Sequence, residues 1–144
     1  MSRLSQRYVI MSGLLLAIGL IGVRARAAQD ALPSGLFSHD RLHVRASGST
    51  EIRQMLTGAT HSGYHVDLHE TALAAGQMPH APHHHVHEEM LLIREGTLDV
   101  TVKGRTERLG PGSAVYIASN EEHGWKNVGS TQAKYFVLAL GDDK

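Results

Sequence analysis

The chain of 144 residues contains no cysteine. Disulfides, zinc–thiolate centres and cysteine nucleophiles are therefore excluded together. Net charge is missing too: 14 basic residues balance 14 acidic ones, so no global field points to a partner. There is no nucleophile elbow, no glycine loop of the kind that cradles phosphate, and no pair of catalytic carboxylates. Internal repeats and long apolar runs of helical period are absent after residue 27. What is present is glycine, 15 of them, between short apolar stretches. That pattern predicts many short strands and turns. The length suits one domain with a real core.

The N-terminus reads as a separate object. Arg3 and Arg7 precede an uncharged stretch, Tyr8 to Val23, and Ala25 and Ala27 follow as a small-x-small pair. This is the layout of a secretory signal over residues 1–27. Sixteen residues span about 24 Å as a helix, short of the roughly 30 Å hydrocarbon core. An uncleaved membrane anchor is the alternative, and Arg24 and Arg26 on the far flank speak for it. No adjacent arginine pair occurs, so the twin-arginine route has no support. Removing these residues takes four of the 14 basic residues and none of the 14 acidic ones, leaving a formal −4. A mildly acidic chain without basic clusters is not expected to bind nucleic acid. The expected location is periplasmic or secreted, or membrane-anchored facing outside. There the core must hold the domain without disulfides.

Residues 28–49 read as a linker with a short strand near Leu42 to Arg45. From residue 50 to 141 the pattern is strand and turn. Glu51–Thr57 and Tyr64–Leu73 come first. Met90–Arg94, Thr97–Val102, Arg105–Leu109, Ala114–Ile117, Trp125–Val128 and Tyr135–Leu140 follow, divided by turn residues such as Glu95-Gly96, Lys103-Gly104 and Gly110-Pro111-Gly112. Short strands at this spacing predict an all-β sandwich or barrel.

Between these strands lies PHHHVHEE, residues 82–89. Side chains alternate along an extended chain, so His83, His85, His87 and Glu89 share one face. Buried without partners, three imidazoles and a carboxylate are costly to desolvate. A divalent cation resolves the cost, since neutral imidazole and carboxylate are good ligands for it. An exposed polar loop is the competing reading, for a bare H-x-H is weak evidence. Two further spacings count against it. Six residues separate Glu89 from Gly96, and far downstream His123 is followed after four positions by Asn127.

These segments resemble the two motifs of the cupin superfamily, in its small single-domain form. His83, His85, Glu89 and Gly96 fit the first motif, G-x5-H-x-H-x3-E-x6-G, with Gly76 one position further out. Gly104, Pro111, His123 and Asn127 correspond to the second, G-x5-P-x-G-x2-H-x3-N, with a gap of six before Pro111, an adjacent Gly112 and a longer gap to the histidine. The resemblance covers residues 50–141. It implies a double-stranded β-helix, a jelly-roll barrel with a metal in its mouth. It also implies that His83, His85, Glu89 and His123 hold one divalent transition metal: Mn, Fe, Zn, Ni, Co or Cu.

His87 is the rival ligand, and a bulge near Val86 is expected to turn it outward. Trp125 and Asn127 share the parity of His123 and are candidates to face the cavity, with core packing the alternative for Trp125. His69 is a candidate acid–base group or simply a surface residue. Tyr116 and Tyr135 are candidate lining residues, and Glu121 and Glu122 are expected to be solvated. Met90 and Leu92 lie on the face opposite the ligands, an apolar outer face that suggests a second layer or a homodimer. With no other catalytic machinery present, a Lewis-acid or oxygen-activating centre acting on a small oxygen-bearing molecule is one functional expectation. A non-catalytic module that binds a small ligand or metal outside the cytoplasm is the other.

Overall fold

The computed structural model describes residues 31–142. The signal-like residues 1–27 lie outside the described residues. Among the described residues the only helical element is a single 3-10 turn, His39–Arg41, and no helix is long and apolar enough to cross a membrane.

Nine strands follow: β1 (Val44–Ser47), β2 (Thr50–Ala59), β3 (His65–Leu73), β4 (Glu88–Glu95), β5 (Leu98–Val102), β6 (Arg105–Leu109), β7 (Ala114–Ile117), β8 (His123–Asn127) and β9 (Ala133–Leu140). Turn chemistry sets most of these boundaries. Lys103 and Gly104 join β5 to β6 with φ of 50° and 74°. Two consecutive positive φ values are what a two-residue type I′ hairpin requires. Gly96, between β4 and β5, has φ of 83°, and a Cβ there would stand 2.7 Å from the Ala133 Cα. Only glycine fits both demands.

The strands form a six-stranded sheet, β1-β2-β3-β9-β4-β7, and a three-stranded sheet, β6-β5-β8, facing each other. Every pairing is antiparallel. Alternation decides what is buried. In β4, Glu89, Leu91 and Ile93 point inward and are 7%, 0% and 3% exposed, while Leu92 faces out. Leu91 and Ile93 meet Leu73, Leu98, Val100, Ile117, Trp125, Tyr135 and Val137 in one core. There the Trp125 Nε1–H donates to the Tyr135 hydroxyl at 2.8 Å.

The histidine-rich run crosses from one sheet to the other. His83 and His123 exchange backbone hydrogen bonds of 3.0 and 2.9 Å, which sets His83 beside β8 of the small sheet. By Glu88 the chain has entered β4 of the large sheet.

The stretch before β2 is tied to the outer face of the large sheet. The Leu32 amide donates to the Ala59 carbonyl, 2.8 Å. His39 reaches the fully buried Glu70 at 2.7 Å. Within it β1 pairs with β2 as an edge strand. Tyr116 lies opposite Met90 on the same outer face and is 58% exposed, so it does not line the barrel.

Candidate metal centre

The crossing run supplies most of the site. His83, His85, His87 and Glu89 lean inward, while His84 and Val86 are exposed. Strand alternation therefore continues through residues that lie outside regular strand. His87 departs from expectation. The chain bends at Val86–His87, yet the His87 side chain is only 16% exposed. Its ring stacks on His85, with centroids 3.6 Å apart and planes within 10°. Strand parity and the stack on His85 agree in turning it inward, and the expected outward turn near Val86 does not occur.

His123 arrives from β8 and is 1% exposed. Its ring centroid lies 4.7 Å from those of both His83 and His85. One ring nitrogen from each of these three histidines lies within 4.8 Å of the others. A second group, His85, His87 and Glu89, meets the same limit.

The hydrogen bonds fix which nitrogens are free. A carbonyl only accepts, so an imidazole facing one must donate. His85 Nδ1 donates to the His87 carbonyl, and His123 Nδ1 to the Glu121 carbonyl, each at 2.8 Å. Both rings then carry a lone pair at Nε2. Among the described residues, four buried side-chain atoms have no hydrogen-bond partner: His83 Nδ1, His85 Nε2, His123 Nε2 and Glu89 Oε1. They belong to the four residues that the motif resemblance singles out. In the neutral ring, the His85 Nε2 lone pair stands 3.2 Å from Glu89 Oε2, a contact that repels until a proton or a cation lies between them. A cation between them reverses the sign of that contact. The donor set thus fits a divalent metal. Burial and the neighbouring His80, His123 and His85 pull His83 down to about 4, which keeps its lone pair available at neutral pH.

The walls carry further polar groups. His69 Nδ1 and Asp67 Oδ1 are 2.9 Å apart, and Gln54 holds the other Asp67 oxygen at 2.9 Å. Burial pushes the Asp67 carboxyl up. The hydrogen bonds from His69 and Gln54 outweigh it and hold the group below the usual carboxylate range. His69, Glu89, His80, Trp125 and Tyr135 line one cavity of about 240 Å³. His69 is therefore a wall residue rather than a surface one. Its partner Asp67 escaped the sequence reading, although the i, i+2 spacing on one strand was a usable signal. His80, packed edge-on against His83 at 4.2 Å, gave no signal beyond its place between two prolines.

Trp125 is at once core and wall, lying 6.0 Å from His123 at 16°. Asn127 does not face the cavity. It is fully buried, donates to the Leu73 and Thr131 carbonyls at 3.0 and 2.8 Å, and accepts from the Gly129 amide at 3.0 Å. It pins the turn between β8 and β9. Glu122 is exposed; Glu121 is half-buried and paired with Lys103 at 3.0 Å.

Comparison with known proteins bears on the fold. No curated protein matches the chain. The family model for the cupin domain matches residues 69–139. An RmlC-like cupin from Shewanella frigidimarina superposes with a TM-score of 0.64 at 18% identity, covering 77% of this chain and 95% of its own. KdgF from a Halomonas species gives 0.66 at 16%, covering 75% and 95%. The polyketide cyclase RemF from Streptomyces resistomycificus gives 0.65 at 20%, covering 76% and 81%. With two facing antiparallel sheets, a cluster of histidines at their junction and a matching domain model, the chain belongs to the cupin superfamily.

Proposed function

We propose that the domain holds one divalent transition-metal ion through His83, His85, Glu89 and His123 and acts on a small oxygen-bearing molecule. One observation carries this reading: the four buried polar atoms without partners fall on these four residues. Such atoms are costly to bury unless something binds them. When bound, the metal supplies Lewis-acid or oxygen-activating chemistry.

The protein's own residues do the rest. The His87 and Glu121 carbonyls orient the His85 and His123 rings, fixing their tautomers. Trp125 and Tyr135 give the cavity an apolar wall. Asp67 holds His69 by Nδ1, which leaves Nε2 as the nitrogen for a proton facing the cavity. An oriented imidazole beside a ligand cavity is the equipment of an acid–base catalyst. It favours an enzyme over a passive binder. Two proteins of the same fold carry enzyme names: RemF is a polyketide cyclase, and a Thermotoga maritima protein at 16% identity is called a predicted oxalate decarboxylase.

The test begins with untagged protein kept away from nickel resin, since residues 80–89 would retain that ion. Elemental analysis is expected to find about one metal per chain, and His123→Ala to lose most of it. A screen of small hydroxy, keto and carboxylic acids then compares wild type with His83→Ala and His69→Gln. Turnover that survives undiminished in His83→Ala sinks the metal-dependent reading; full metal without any turnover favours the binding module.

A further inference from the structure

We infer that the free edge of β6 pairs with β6 of a second copy of this chain, making a twofold dimer that continues the small sheet. The inference is independent of the metal reading. Among the described residues β6 pairs with β5 and with no other strand. The two-residue turn closes on Val102 and Arg105, so the backbone groups of Arg105 and Glu107 serve β5. Those of Thr106 and Arg108 point away from it. An open edge of this kind is a template for another strand.

The side chains say which strand fits. Val100 of β5 is buried in the core, and Glu107 lies opposite it, with Arg105 opposite Val102. Arg105 and Glu107 therefore stand on the inner face of the small sheet, yet both are exposed. They border a groove of about 1060 Å³ between β6 and β7, with Val100, Val102, Leu109 and Val115 as its apolar floor. On the other face Arg108 is held by both oxygens of Asp99. Among the described residues neither Arg105 nor Glu107 has such a partner.

A lone inward charge on an edge strand opposes pairing. Two opposite charges two residues apart favour it in one register. With the twofold axis at Thr106, Arg105 faces the partner's Glu107 and Glu107 faces the partner's Arg105. These are pairs without backbone bonds between them, where side chains come closest. Thr106 then meets its own copy through the outward backbone groups. Moving the axis one residue either way sets Arg105 against its own copy, or Glu107 against its own copy, and like charges directly opposite repel. An axis perpendicular to the small sheet keeps both large sheets on one side. β7, the edge of the large sheet, then approaches its own copy, and the two grooves close over each other's apolar floors. The groove ends at Glu121, whose carbonyl holds His123, so the interface would border the metal centre without containing it.

Sedimentation velocity and light scattering on the full chain test this, in a mild detergent because Tyr8 to Val23 is apolar. Wild type is expected to be a dimer. Glu107→Arg places like charges opposite each other in both pairs, as does Arg105→Glu. Each should raise the dimer dissociation constant at least about tenfold. Mixed one to one, the two variants should recover the wild-type dimer, because every pair is again of opposite sign. The double swap in one chain should do the same. Lys126→Glu, an exposed charge reversal on β8, should leave the constant within a factor of about two. Melting curves and metal content guard against a variant that fails to fold. A wild type that stays monomeric at about 100 μM leaves the groove to another occupant and overturns the inference. So does a mixture no tighter than either variant alone. A dimer indifferent to both swaps sits elsewhere, on the outer face of Met90 and Leu92 or through residues 1–27, and this also overturns it.

Discussion

Tyr135 and Trp125 meet where the core becomes the cavity. Burial pushes the Tyr135 hydroxyl well above its ordinary value, against the hydrogen bond from Trp125. A raised value means that the fold favours the neutral phenol. Its contribution is complete below the unfolded tyrosine value of about 10 and is lost as pH climbs beyond it. Stability of the wild-type domain should therefore fall above pH about 10. Tyr135→Phe should cost about 1 kcal/mol at neutral pH through the lost hydrogen bond and show a shallower alkaline decline. Urea unfolding at several pH values measures both; equal alkaline slopes would show that Tyr135 does not report this burial. The identity of the inward face was legible at this scale, because His83, His85 and Glu89 obey strand parity. The fate of His87 was half legible: parity turned it inward, as observed, while the bulge expected near Val86 would have turned it out. Asn127 was misleading. Its parity is inward, but three backbone groups claim its amide before the cavity can.

Strands β2, β3, β9 and β4 lie under the segment that precedes them. The link is Glu70, fully buried and approached by Arg94 at 2.6 Å, His39 at 2.7 Å and Arg53 at 3.9 Å. Arg94 reaches it from the place where the β4–β9 register slips, between Ile93 and Glu95. A buried carboxylate stripped of its nearest cation is expensive. Arg94→Ala should cost roughly 3 kcal/mol, and Glu70→Gln added to it should restore part of that. Denaturant midpoints decide it; a loss within the range of an ordinary surface pair, below about 1 kcal/mol, would show that Glu70 does not anchor the segment. Strand positions were legible from the turn residues, with β6 and β7 matching residue for residue. The anchoring of residues 31–43 was not. Glu70 sits among alternating polar residues of β3 and reads as a solvated strand position until the covering chain is known.

The whole barrel is two sheets with few strands in the smaller one, and the proposed ligands come from both. Metal should therefore stabilise the entire domain. At a free concentration a hundredfold above its dissociation constant, an ion adds about 2.7 kcal/mol. For a domain of this size that moves the melting temperature by roughly 10 °C or more. Chelation followed by a thermal scan should show the drop, and readdition of manganese or cobalt should reverse it. His83→Ala should melt at one temperature with or without metal. A wild type indifferent to chelator after full metal removal would separate the ion from the fold. At this scale the architecture was legible because most strand boundaries carry a turn signal. The identity of the proposed metal was not, since imidazole and carboxylate accept most of the first transition row.

The backbone bridge between His83 and His123 joins positions forty apart in the chain. Contacts so distant along the sequence form late, because the loop between them must first be ordered. If that bridge closes only after the rate-limiting barrier, the pocket of the proposed ion is incomplete in the nascent and refolding chain. An ion that arrives so late leaves the speed of refolding almost untouched and slows escape from the native state. Occupancy would act as a clock on the lifetime of the finished protein, not as a template for its making.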